Sequence, residues 1–482
     1  MTATLPEITT DLFIDGSPVA ASVTLRVSDP AGGGAAAGHA ASATAAQAAD
    51  AVAAADRAFP AWAALSPAER AAALTSALTP LAADRSLTAE ILTRENGKIL
   101  AESVIDSIVF EHRSRLAVDL ASTVDDSAEL AGPPYRTRVG YEPLGVVTII
   151  VPFNWPLAIL GASLAYALVA GNTVVVKPPP TAPLATTRTV ALVASALPPG
   201  VLNVVTGADA EIGEVLVADP RVRKVCFTGS VGGGKRIMAM AAANLTRVTL
   251  ELGGNDPAII LRDAALGPEA WQSLFHGTFD TTGQVCMAVK RLYVHRSRYD
   301  EVIERLAELL SPTVLGHGLD GESTMGPLHR PEQQAFVSEL LAEVRARGAE
   351  VREFGGEAPA EGYFLRPSLV LAPPDDTRVV TEEQFGPTLP ILPFDEVEDA
   401  VARANETWSG LTSSVWSADL DRAAAVAARL RTGYTFVNCH GAAHLDERAP
   451  FGGRNHSGIG REMGVEGLRE FMDTHATSFP AP

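Results

Sequence analysis

The chain has 482 residues, too many for one ordinary hydrophobic core, so two or three domains are expected. With 47% hydrophobic and 20% charged residues, it is no disordered chain. A formal charge of −19 without any Lys/Arg cluster argues against nucleic acid, because a phosphate backbone would be repelled. The three cysteines, Cys226, Cys286 and Cys439, form no disulfide framework and fit a reducing cytoplasm. The opening Met1–Glu7 lacks a basic and then apolar leader, so no secretory signal is expected.

The segment Leu12–Val19 reads as a hairpin turning on Asp15-Gly16. Ala40–Ala58 is alanine-rich and predicts a helix with small contacts. Ser66-Pro67-Ala68-Glu69 predicts the start of another, with serine as cap and Glu69 closing a capping box. The polar stretch Asp119–Pro134 reads as an arm pairing with the C-terminal tail.

Pro143–Val176 carries no charge and is long enough to span a membrane. However, Val151–Pro156 and Gly171–Thr173 interrupt it, and its ends are short β-branched runs. Two buried strands flanking a helix over Leu157–Val169 explain it better, so no membrane partner is expected. From Gly145 to Leu250 strands and helices alternate, which predicts a doubly wound parallel sheet. A second alternating stretch from Pro257 beyond Val437 predicts another α/β domain, hinged at Gly253-Gly254.

Several segments carry candidate chemistry. Cys286, in Gly283-Gln284-Val285-Cys286, is a candidate nucleophile, and Glu251, in Glu251-Leu252-Gly253-Gly254, is a carboxylate able to activate water against a thioester. Asn154 is a lone amide in an apolar run, suited to a turn or to an oxyanion. Lys177 ends a strand where open α/β sheets bind ligands. Gly229 to Lys235 resembles a phosphate loop, but Arg236 stands where a P-loop needs Ser or Thr, so a strand–loop–helix aimed at a pyrophosphate is favoured. No metal-binding motif is present, and none of these signals is specific alone.

In this order, together with Phe227-Thr228-Gly229-Ser230, Glu383-Gln384-Phe385-Gly386-Pro387 and Pro450-Phe451-Gly452-Gly453, the segments resemble the aldehyde dehydrogenase superfamily from about Phe13 to Phe471. The resemblance implies a Rossmann-like dinucleotide-binding domain (1–121 and 140–253), an α/β catalytic domain (254–456) and a small β oligomerisation arm with its tail (122–139 and 457–482). It also implies a homodimer or homotetramer using NAD or NADP. By the same match Cys286 attacks the aldehyde, Asn154 and the Cys286 N–H hold the hemithioacetal oxyanion, and Glu251 activates the water that releases a carboxylic acid. Lys177 binds the adenosine ribose, Gly229 and Ser230 face the pyrophosphate, Glu383 positions the nicotinamide ribose, and Phe385 packs near it. Trp155, Ile159, Ala162, Asp280, Val285, Met287, Leu445 and Phe451 become substrate-tunnel residues, mostly apolar and suited to an uncharged aldehyde.

The departures are informative. Pro180 stands where many NAD-preferring relatives carry a glutamate, which predicts weak discrimination against NADP. Asn255-Asp256 replaces a frequent lysine, and Arg454-Asn455-His456 is an uncommon run. Two alternatives stay open: a CoA-acylating enzyme, which Glu251 disfavours, and a catalytically silent scaffold of the same fold.

Overall fold

The computed structural model describes residues 8–125 and 127–480. An eight-stranded sheet runs in the order Gly458–Ile459, Arg247–Leu252, Val222–Gly229, Val146–Ile150, Thr173–Lys177, Leu202–Val204, Leu12–Ile14, Ser17–Val19. Its five middle strands are parallel and the outer pairings antiparallel. The three central strands Val146–Ile150, Thr173–Lys177 and Leu202–Val204 are wholly buried, as their apolar runs require once helices cover both faces. Chain order reverses between Val146–Ile150 and Val222–Gly229, leaving a crevice at their carboxyl ends, where such sheets bind ligands.

The seven-stranded sheet runs Glu350–Glu353, Ser368–Leu371, Thr388–Phe394, Val289–His295, Asp256–Ile260, Thr412–Trp416, Tyr434–Val437. All its pairings are parallel except the first. Asp256 begins only four residues after Leu252 ends the larger sheet. The carboxyl edge of one sheet therefore meets the amino edge of the other.

The hairpin forms as read, with Asp15 and Gly16 both at positive φ, 52° and 79°. Ser66 caps the helix Pro67–Leu78 with the full capping box. Three expectations need correction. The alanine-rich run begins as a strand, Ala36–Ser42, paired with Val23–Ser28 and Ile8–Thr10; sheet pairing overrides alanine's helix propensity until Thr44 caps the helix Ala45–Ala63. The single helix over Leu157–Val169 is two, Pro156–Gly161 and Leu164–Ala170, and the break at Ser163 turns its hydroxyl onto Glu462 at 2.8 Å.

The arm is the third. Ala128–Gly132 pairs with Tyr135–Pro143, and it is this second strand, not Asp119–Pro134, that pairs with the tail Met472–Pro480. Tyr135–Pro143 crosses the expected bound at 139, and Gly458–Ile459 belongs to the eight-stranded sheet rather than to a tail. Residues 1–7 and 481–482 of the expected domains lie outside the described residues. No helix among the described residues is long and apolar enough to cross a membrane.

A buried ion pair fixes the crevice floor. Lys98 and Asp106 have no exposed side-chain surface and meet at 2.6 Å. Lys98 also donates to the Asn154 carbonyl at 2.9 Å, while Asp106 accepts the Ala158 N–H. The pair thus ties the helix Leu100–Asp119 to the loop after Ile150. Lys98→Met should lower stability by about 3–5 kcal/mol by leaving Asp106 buried and unpaired. Denaturant unfolding checks this; a loss under about 1 kcal/mol would show that the pair carries little.

Candidate active site

Two rows of loops face each other at the meeting edges. Asn154, Lys177, Gly229 and Glu251 lie at or just beyond the carboxyl ends of adjacent parallel strands. Asn255, Cys286 and Glu383 lie just before the amino ends of Asp256–Ile260, Val289–His295 and Thr388–Phe394, also adjacent. Gly253 and Gly254 make the contact possible. A Cβ on Gly253 would sit 2.1 Å from Glu383 Oε2, and one on Gly254 would sit 2.7 Å from the Cys286 carbonyl oxygen.

The loop before Cys286 is strained. Thr281, Thr282 and Gly283 take φ of 52°, 58° and 73°, a left-handed run that β-branched residues rarely adopt. Glu102 accepts the Thr281 N–H at 2.6 Å, and the Thr282 hydroxyl donates to the Gly326 carbonyl at 2.9 Å. Gln284 is buried and accepts the His329 N–H. Its own carbonyl accepts the Asn154 side-chain amide at 2.8 Å. The Cys286 N–H donates to no acceptor among the described residues.

Cys286 and Asn154 line one cavity of about 600 Å³. Trp155, Ile159, Asp280, Val285 and Met287 line it too. Ala162, Leu445 and Phe451 do not. Ala162 is turned into the core beside the helix break, Phe451 packs towards Tyr434 with ring centroids 6.4 Å apart, and Leu445 rests half-buried on the core behind. The helix Leu100–Asp119, unassigned from sequence, supplies Glu102, Ile105, Val109 and Arg113 to the wall. Nothing in its own residues marks that face.

Glu251 lies outside this wall. It is buried against Gly452, where an added Cβ would come within 2.9 Å of its Oε1. Neither carboxylate oxygen closes a hydrogen bond, although the Gly453 amide faces it. Burial first and the Glu462 carboxylate second hold its pKa well above the carboxylate range. Cys286 keeps some surface open to the cavity yet is ringed by protein, and burial pushes its thiol up to about 12. Lys290 opposes that shift, whereas Glu383, Asp256 and Glu251 add to it.

Lys290 is the residue that sequence reading missed. It is buried, donates to the Val285 carbonyl, and stands 3.8 Å from Glu383. Asp256, which accepts from the Thr412 N–H and hydroxyl, is also within its field. Asn255 is uncharged and bonds to Val380 and Ser409, and the cation facing Asp256 is Lys290 on the next strand. The Arg454-Asn455-His456 run forms a short turn with Ser457, whose hydroxyl binds the Gly253 carbonyl at 2.8 Å. It braces the hinge.

The remaining candidates sit around the crevice. Lys177 is buried and paired with Asp209. Pro180 follows, half-buried. Ser230 caps the helix Val231–Ala241 by accepting the Gly233 N–H at 3.1 Å. Gly229 lies over the Phe227 ring, where an added Cβ would come within 2.6 Å. Lys235 and Arg236 are exposed on the same helix. Glu383 is half-buried; burial raises its pKa and Lys290 opposes the rise. Phe385, at φ 45°, meets Phe153 edge-on with centroids 6.1 Å apart.

Residues 19–477 match the model of the aldehyde dehydrogenase family. The chain is 36% identical over 427 residues to phenylacetaldehyde dehydrogenase of Pseudomonas fluorescens, covering 86% of this chain and 84% of that one. Among solved structures, lactaldehyde dehydrogenase from Escherichia coli superposes with a TM-score of 0.93 at 31% identity, covering 99% of this chain and 100% of that one. Betaine aldehyde dehydrogenase from Staphylococcus aureus, in complex with NAD+, gives 0.92 at 31%, covering 98% and 95%. With a match along nearly its whole length, the chain belongs to the aldehyde dehydrogenase family and is an oxidoreductase acting on the aldehyde group.

Proposed function

We propose that the chain oxidises an uncharged aliphatic or aromatic aldehyde to its carboxylic acid, with NAD or NADP as acceptor. The observation that carries this reading is the shared cavity of Cys286 and Asn154, set between two sheets whose facing strand ends also carry Lys177, Ser230 and Glu383. The crevice fits a dinucleotide: it lies at the reversal of strand order, with a buried lysine, a helix N-terminus and a carboxylate along it. Lys177 would hold the adenosine ribose, Gly229 and Ser230 the pyrophosphate, and Glu383 with Phe385 the nicotinamide end. When bound, the oxidised nicotinamide supplies a hydride acceptor and a positive charge.

The Cys286 thiol gives its proton to water, the resulting thiolate bonds to the aldehyde carbon, and the carbonyl oxygen becomes an oxyanion. The Asn154 amide and the unengaged Cys286 N–H hold that charge where it develops. Loss of hydride leaves a thioester on Cys286. Glu251 then takes a proton from water, whose hydroxyl displaces the thiol and releases the acid. Its raised pKa makes it a better base than an ordinary carboxylate once ionised.

The wall supports the proposed substrate class. Ile105, Val109, Ile159, Phe275 and Leu309 are apolar, and the carboxylates are engaged: Glu102 by two backbone N–H groups, Asp280 by His276 at 2.8 Å. The relative that acts on phenylacetaldehyde supports a neutral substrate. We further propose a homodimer or homotetramer in the cytoplasm, joined through the outlying sheet whose strand Ala128–Gly132 is exposed throughout.

Four outcomes test this reading. Cys286→Ala should abolish reduced-nicotinamide formation, while Asn154→Ala should cost about a hundredfold or more in kcat. Glu251→Gln should accumulate an acyl-enzyme visible by intact mass after one turnover; unimpaired steady-state turnover would remove Glu251 from the mechanism. In a panel, phenylacetaldehyde should exceed betaine aldehyde and succinic semialdehyde in kcat/KM by about tenfold or more.

The protonation state is separately measurable. With the thiol pushed up to about 12, Cys286 is neutral in the free enzyme near pH 7. Its alkylation by iodoacetamide should climb with pH, without a plateau near the ordinary thiol value of about 8.5. Lys290→Met removes the one opposing charge and should slow alkylation at any fixed pH. A plateau at or below that ordinary value would refute the assignment.

A further inference from the structure

Lys177 forms an ion pair with Asp209, a residue to which the proposed function gives no part. Lys177 ends the strand Thr173–Lys177 and is 2% exposed; Asp209 opens the helix Asp209–Ala218, after the neighbouring strand Leu202–Val204. Their Nζ and Oδ1 are 2.5 Å apart. The Asp209 side chain is nevertheless 76% exposed, so the carboxylate lies at the crevice surface. Its second oxygen makes no hydrogen bond among the described residues. The other acid of that first turn, Glu211, is turned towards the Ala45 N–H at 3.3 Å.

We propose that Asp209 is the residue by which this chain selects NAD over NADP. The inference rests on the reading of Lys177 as the adenosine-ribose lysine. Many relatives make this selection with a glutamate at the position of Pro180, which here offers neither an acceptor nor a charge. Asp209 reaches the same lysine from the adjacent strand–helix connection. Lys177 fixes one of its oxygens, and the free oxygen is placed to accept from a ribose hydroxyl. A 2′-phosphate carries about −1.5 to −2 charges. Beside Asp209 it would meet a like charge, and the lysine it seeks is already engaged. The discrimination that Pro180 cannot supply is thereby restored from another part of the fold.

The test compares dissociation constants of NADH and NADPH, read from cofactor fluorescence, with kcat/KM for NAD and NADP. The wild type should bind NADPH about tenfold or more weakly than NADH. Asp209→Asn, which keeps shape but removes charge, should narrow that ratio about tenfold, chiefly by tightening NADPH. Adding Pro180→Glu to Asp209→Asn should restore the preference. A ratio unmoved by Asp209→Asn, or a wild type indifferent between the cofactors, would overturn the proposal and leave selection to Pro180. Lys177→Met should weaken both cofactors. If it weakens neither, the premise about Lys177 fails, and with it the proposal, whatever the Asp209 variants do.

Discussion

The close approach of two sheet edges across Gly253 and Gly254 is the constraint on which the site depends. Each sheet is ordinary by itself: parallel, doubly wound and apolar through its middle. The chemistry resides where they meet, because functional groups gather at the ends of parallel strands. A side chain at Gly253 would occupy the space of the Glu383 carboxylate, and one at Gly254 that of the Cys286 carbonyl. Those two glycines set the distance between the half that fits a cofactor and the half that carries the thiol. Ser457, gripping the Gly253 carbonyl, fixes the same distance from the far end of the chain.

Given that constraint, buried charge becomes unavoidable, and the protein resolves it locally. Lys98 and Asp106 neutralise one another beneath Asn154, each also holding a backbone group, so the pair positions the loop rather than merely filling space. Lys290 acts differently. It is a single cation facing Glu383 and Asp256 beside a thiol whose pKa all these groups influence. Asn255-Asp256 and Lys290 are best understood together, as a cation and anion placed on neighbouring strands, Asp256–Ile260 and Val289–His295.

What the sequence discloses follows from how local each signal is. Strand and helix alternation is a short-range pattern, so the two α/β sheets are legible from Gly145 onward. Capping by Ser66 and the Asp15-Gly16 turn are more local still. The motif residues Asn154, Lys177, Gly229, Glu251, Cys286 and Glu383 could be named because their short runs, none specific alone, follow one another in the order of a known family. Lys290, Asp209 and Glu102 could not. Each is an unremarkable charge in its own segment and gains meaning only from a partner on another element. The alanine-rich segment failed for the converse reason: its composition favours helix, but partner strands distant in sequence decide that Ala36–Ser42 is extended.

The position of Glu251 links this electrostatic economy to the order of events. Its carboxyl and the Cys286 thiol each titrate upward through burial, and the Glu251 charge raises the thiol further. Two neighbouring anions in so enclosed a space would oppose each other. In the proposed reaction attack requires the thiolate, whereas hydrolysis requires the carboxylate, after the sulfur has been neutralised as a thioester. Burial favours the neutral form of Glu251 against Gly452, off the cavity wall, which lessens the negative charge a thiolate would meet. Separating the two ionisations in time lets one apolar cavity serve both steps.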